Sequence, residues 1–269
     1  MTAIYLIRHG QASFAEQDYD KLSIKGTQQA EILGEHWQAL ASHKSSLANR
    51  IQYYSGSLLR HEQTAEHFLN GLCKQKLKGN SNANQSHHSI ITHAGFNELD
   101  HVDVLSCYNK NWQNFQAMCA SVKQTHSQNS ASKSVDKNEE MRVFQQEFIA
   151  ALKRWVESDF DDEYQESWSQ FKQRCITSLQ YIIAQVKANQ SIDDNTDKKD
   201  LVIFTSGGVI GVIVGHILQL SDQQSLQISQ QLVNSSVTKI VSTKDGLKLN
   251  YLNNYSHLEL AGQEWLSYF

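Results

Sequence analysis

The chain has no proline in its 269 residues, where average usage of about 5% would place roughly a dozen. Every loop therefore keeps more conformational freedom to lose on folding, the reverse of the thermophile habit of adding loop prolines. The expectation is a marginally stable, low-temperature protein with a melting midpoint below about 65 °C, and a calorimetric midpoint above that would overturn it. Cysteine is scarce and scattered. Cys73, Cys107, Cys119 and Cys175 form no CxxC pair and have no companion histidine spacing, which argues against a zinc site and favours a reduced, cytoplasmic compartment. A basic excess is also missing. The 24 Lys and Arg face 28 Asp and Glu, a net charge of -4, so there is no positive field to hold a nucleic-acid backbone or an anionic membrane. The apolar run from Ala3 is cut at Arg8 with no basic stretch before it, and no secretion signal is expected. A single stretch, "LVIFTSGGVIGVIVGHILQL" from Leu201 to Leu220, approaches the length of a membrane span. It is broken by Thr205, Ser206, Gly207, Gly208 and His216, and reads better as strand, turn and helix.

What is present is a core-forming alternation. An apolar fraction of 40% suffices for a folded interior. A strand is predicted over Ala3–Ile7, then a helix in "SIKGTQQAEILGEHWQALASH", where Ala30, Leu33, Trp37 and Leu40 recur every three or four residues. A strand at Gln52–Ser55 leads to a helix carrying Thr64, Ala65, Phe68 and Leu69, and "SIIT" from Ser89 reads as a third strand. Two amphipathic helices follow, near Glu139–Glu157 and Glu166–Lys187, then a buried strand at Leu201–Thr205. "SVTKIVS" and "LKLNYLN" form a hairpin about Asp245–Gly246. The polar stretches Cys73–His88, Ser121–Glu140 and Lys187–Asp200 are expected to be surface loops, the middle one a candidate for disorder. Such alternation predicts a three-layer α/β/α sandwich with a mostly parallel sheet.

In an open sheet of this kind, ligands sit at the carboxyl ends of the strands. The tips of the first, second and fourth predicted strands carry Arg8-His9-Gly10, then Ser57 and Arg60, then Ser206-Gly207-Gly208. Guanidinium forks and backbone N–H groups at a helix start make a receptor for a phosphate.

"LIRHG", "LSIKGTQQAEILG", "YSGSLLRHEQTAE", "FNELD" and "VIFTSGGVI", in this order, are similar to the motifs of the histidine phosphatase superfamily, also called phosphoglycerate mutase-like. "YQESWSQFKQR" and "LNNYSHLEL" extend the resemblance over nearly the whole chain. It implies that His9 is the nucleophile that is transiently phosphorylated. It further implies that Arg8 and Arg60 hold the phosphoryl oxygens and that Glu98 protonates the leaving group, with no metal or organic cofactor. Phosphoryl transfer needs mainly in-line placement and neutralisation of oxygen charge, and nearby cations favour the neutral imidazole able to attack.

The chain departs from the family where most members carry a second histidine before the two glycines of the fourth strand. Here Ser206 stands in its place, able to donate a neutral hydrogen bond but no charge. Loss of one transition-state donor costs about 10² to 10³ in rate. Three readings stay open: Ser206 and the Gly207 N–H form a reduced oxyanion site in a working enzyme, His257 swings in as a surrogate, or the site only binds phosphorylated ligands. The first is favoured, because the groups that attack, hold and protonate are otherwise present. Gln11 and Ala15 stand where family members often have Glu and Asn, and Gln11 or Ser13 is expected to supply a polar contact to phosphate. His36, His61, His67, His87, His88, His93 and His101 read as surface residues.

The mutases of the family carry an insertion with paired arginines and later prolines. The segment Asp100–Glu166 contains Arg142 and Arg154 but no adjacent pair, which points to hydrolysis and leaves a mutase as the weaker alternative. The expectation is one domain over residues 1–269 with a helical cap insertion at about 100–165. Trp112, Phe115, Phe144, Phe148 and Trp155 lie in that insertion, which would select a small phosphorylated substrate or a phosphoprotein.

Overall fold

Seven residues at the start of the chain, Thr2–Arg8, form β1 with alternating burial, and this strand becomes the pivot of the sheet. The computed structural model describes residues 1–13, 20–42, 51–74, 89–112, 137–157, 159–188 and 199–268. After β1 come α1 (Ile24–Ser42), β2 (Ile51–Ser55), α2 (Leu59–Cys73), β3 (Ile90–Thr92), α3 (His101–Tyr108), α4 (Lys137–Val156) and α5 (Trp168–Ala188). The chain continues with β4 (Asp200–Thr205), α6 (Gly207–Leu218), α7 (Asp222–Gln231), β5 (Val237–Thr243), β6 (Gly246–Asn254) and α8 (Ser256–Ala261). The six strands lie in the order β3-β2-β4-β1-β5-β6. The first four pair in parallel, and β5 and β6 run antiparallel to their neighbours. The mostly parallel α/β fold expected from the alternation is the fold observed.

Burial follows from that topology. β4 lies between β2 and β1, so Leu201–Phe204 are fully buried, as a central parallel strand requires. Ile7, Leu33, Tyr53, Ala65, Phe68, Val202, Phe204 and Val237 form one apolar cluster, with Phe68 packed edge-on against Trp37 at 5.3 Å. Leu201–Leu220 is β4 followed by α6, and no helix among the described residues is long and apolar enough to cross a membrane.

Two compact units are distinguishable, Met1–Glu98 with Arg174–Phe269, and Leu99–Gln173. The first holds the sheet. In the second, Asp100 caps α3 by accepting from the Val102 and Asp103 N–H groups, as an N-cap carboxylate does. Trp155 packs edge-on to Trp168 at 5.1 Å and against Phe171 at 5.4 Å, and Trp112 is buried too. Phe115 and most of the 121–140 loop lie outside the described residues. α4 begins at Lys137, so the last residues of that loop are helical. Helices α3, α7 and α8 escaped the sequence pattern, because eight, ten and six residues are too few to show a 3.6-residue period clearly.

Candidate active site

The parallel registers Arg8↔Thr205 and Ser55↔Phe204 bring the carboxyl ends of β1, β4 and β2 level. The residues following these ends therefore meet. His9 leaves β1 with its backbone held on both sides: its N–H donates to the Thr205 carbonyl at 2.8 Å. Its carbonyl accepts from Ser235 N–H at 3.2 Å and Asn234 Nδ2 at 3.3 Å. The imidazole is buried, with Nδ1 2.7 Å from the Gly10 carbonyl oxygen. A carbonyl can only accept, so Nδ1 carries the proton and Nε2 keeps its lone pair.

Electrostatics favour the neutral ring. Burial pushes the His9 pKa well below the ordinary 6.5, and the charges of Arg60, Arg8 and His61 push it the same way against the Gly10 hydrogen bond. The ring is neutral at physiological pH. Arg60, also buried, lies in the first turn of α2 and is oriented by Asp20 through an Nη1 to Oδ1 ion pair at 2.5 Å. Asp20 also accepts from the Leu59 N–H at 2.9 Å through its other oxygen, tying the helix start to the same carboxylate. Arg8 Nη1 donates to the Leu232 carbonyl.

Glu98 reaches the same end of the sheet by a loop. The Phe96 carbonyl before it accepts from Thr205 Oγ1 at 2.6 Å, and Arg174 Nη1 donates to the Gly95 and Asn97 carbonyls at 3.1 and 3.0 Å. The carboxylate then accepts from the Gly208 N–H at 3.0 Å, at the positive end of α6. Gly208 is needed for that approach, since a Cβ there would lie 2.2 Å from Glu98 Oε1. The neighbouring Gly207 lies near Arg8: a Cβ on it would sit 3.7 Å from Arg8 Nε. His9, Arg8, Arg60, Glu98, Ser206 and Gly207 are thus brought together at one end of the sheet. Among the described residues no group of three or more His, Cys, Asp or Glu could hold a metal ion.

Two sequence expectations need correction: neither His61 nor His257 is at the surface. His257 lies in α8 and is not a surface residue. It is buried, with its ring 6.1 Å from His36 of α1, and it bonds to the Ser235 backbone. Ser13 Oγ donates to the Leu22 carbonyl at 3.2 Å, and Gln11 Oε1 accepts from Ser23 Oγ at 3.0 Å; both oxygens tie the loop after β1 to the entry of α1. Ser57 is exposed and joined to Asn97 through its N–H and hydroxyl at 2.7 and 2.8 Å. His61 is completely buried, with Nε2 2.6 Å from Ser206 Oγ and its ring 5.7 Å from that of His9. The sequence carried one signal for it, its adjacency to Arg60 in the first turn of α2. Asp20 and Asn234 gave none, because their partners are far away along the chain.

Buried neutral imidazoles have a stability consequence. His257 is pulled down to about 3, chiefly by burial and then by His36, and burial and Arg60 push His61 well below 6.5. Below pH 6.5 the unfolded chain binds protons that these folded-state rings refuse, so stability falls as pH drops from 6.5 toward the folded values. Each ring contributes up to about 1.4 kcal/mol per pH unit. Urea midpoints are expected to fall steeply between pH 6.5 and 4, and His257→Phe to reduce the slope; a flat profile would contradict the assignment.

Residues 133–255 match the family model described as Histidine phosphatase superfamily (branch 1). The fold is shared with solved phosphatases and a phosphoglycerate mutase. A phosphoserine phosphatase variant from Entamoeba histolytica, solved with phosphoserine, aligns with a TM-score of 0.57 at 16% identity, over 96% of this chain and all of that one. The mycobacterial glucosyl-3-phosphoglycerate phosphatase aligns at 0.54 and 16%, over 94% and 99% of the two chains. The phosphoglycerate mutase of Bacillus anthracis aligns at 0.55 and 17%, over 96% and 95%. No curated protein sequence matches the chain. At these identities the likeness is one of fold, and the chemistry has to be argued from the site.

Proposed function

We propose that this chain is a histidine phosphatase superfamily member that hydrolyses phosphate monoesters without a metal, through a phosphohistidine on His9. The observation that carries the reading is the His9 ring itself: buried, neutral, with Nδ1 tied to the Gly10 carbonyl and both Arg8 and Arg60 acting on it. In the first step Nε2 attacks phosphorus in line and the P–O ester bond breaks. The leaving oxygen takes the proton of Glu98 in its acid form. The arginines carry the charge on the non-bridging oxygens throughout. In the second step water attacks the phosphohistidine and loses its proton to Glu98, the P–N bond breaks, and inorganic phosphate leaves with His9 and Glu98 restored.

Hydrolysis is favoured over intramolecular transfer by the absence of adjacent arginines between Asp100 and Glu166. Two of the structures that share the fold are named as phosphatases and one as a mutase, so phosphoryl transfer is the common ground. The substrate class is a small phosphorylated molecule or a phosphoprotein, met in the cytoplasm. The test is metal-free release of inorganic phosphate from an aryl phosphate at mildly acidic to neutral pH. Release that depends on His9 supports the reading. Binding of phosphate without turnover would leave a phospholigand-binding protein, and transfer without release would leave a mutase.

A further inference from the structure

His61 and Ser206 are both completely buried and lie 145 residues apart in sequence, yet Nε2 and Oγ are within 2.6 Å. Ser206 is the residue before α6 and makes no capping bond to that helix. Its hydroxyl is therefore committed to the His61 contact and not to closing the helix end, which is the usual use of a serine there. The other ring nitrogen, Nδ1, has no hydrogen-bond partner among the described residues. An orphaned buried N–H is rarer than an under-satisfied acceptor, so the proton belongs on Nε2, and His61 donates to Ser206 Oγ. The serine proton then points elsewhere. The His9 ring lies 5.7 Å from that of His61, and Gly207 and Gly208, next in the chain, bear on Arg8 and Glu98.

The fold makes room for this imidazole. A Cβ at Gly56 would lie 2.2 Å from His61 Nδ1 and 2.9 Å from Asn97 Oδ1, so the ring occupies space that any other residue at 56 would take.

We propose that His61 is a positioning residue for phosphoryl binding: by donating to Ser206 Oγ it fixes the serine hydroxyl as a donor to a phosphoryl oxygen on His9. This rests on the phosphohistidine reading above. A hydrogen bond received at Oγ polarises the O–H, which partly makes up for a site lacking an imidazole at position 206. Burial and Arg60 keep His61 neutral, as a ring with one N–H requires.

The experiment is a double-mutant cycle with a conservative control, read by aryl phosphate hydrolysis and by calorimetric binding of vanadate. Ser206→Ala and His61→Leu are each expected to lower kcat about 10²-fold with little change in KM, the size of one lost transition-state donor, and to weaken vanadate. The double variant should lose no more than either single one, because the two groups act as one relay. His61→Gln, whose amide can still donate to Ser206, should retain most of both readouts. Additive losses, an unaffected Ser206→Ala, or a His61→Gln no better than His61→Leu overturns the relay. His61→Gln and Ser206→Ala keep the test open if His61→Leu does not fold. Wild-type protein that binds vanadate without turnover refutes the phosphatase reading while the vanadate cycle still decides the relay. Wild-type protein that does neither refutes both.

Discussion

His9→Ala is expected to abolish phosphatase turnover, a loss of about 10⁴-fold or more for removal of a covalent nucleophile. The fold should survive, because His9 is anchored by its backbone to Thr205, Ser235 and Asn234, and these bonds need no imidazole. The variant separates chemistry from binding: Arg8 and Arg60 remain to attract a phosphate. In wild type, rapid denaturation during turnover should trap phosphate on the protein in an acid-labile, base-stable form, and His9→Ala should trap none. Because burial and the two arginines hold the ring well below 6.5, loss of activity from His9 protonation should begin only at pH values below 6.5. Undiminished turnover in His9→Ala would sink the mechanism.

Glu98→Gln should divide substrates by their leaving group. The amide keeps an oxygen to accept the Gly208 N–H, so the loop geometry is preserved while the transferable proton is lost. Alkyl phosphates, whose alkoxide cannot depart unprotonated, should lose about 10² to 10⁴-fold in kcat, the usual worth of a general acid. An activated aryl phosphate needs little protonation and should lose far less. Equal losses on both substrates would assign Glu98 to positioning and send the search for the acid elsewhere.

The neighbourhood of His9 was legible at the level of elements. A β-branched run ending in Arg8-His9-Gly10 and a second ending near Arg60 report on strands and their tips. In a parallel sheet tips point the same way, so shared chemistry at one end follows from local pattern alone. The Ser206-Gly207-Gly208 turn was readable for the same reason, since glycines after an apolar strand mark a strand-to-helix turn.

Pairing across the sheet was not legible. His61 sits beside Arg60 in sequence and reads as one more polar residue on a helix; only the seating of the first turn of α2 against the end of β4 buries it on Ser206. His257 followed the opposite course, because α8 carries it against His36 of α1. Periodicity and turn chemistry are properties of neighbours along the chain, and they determined the strands, the fold class and the place of His9 at a strand tip. Which buried polar group meets which depends on packing between segments far apart along the chain, and that assigned the partner of Ser206, the clamp on Arg60 and the burial of His257.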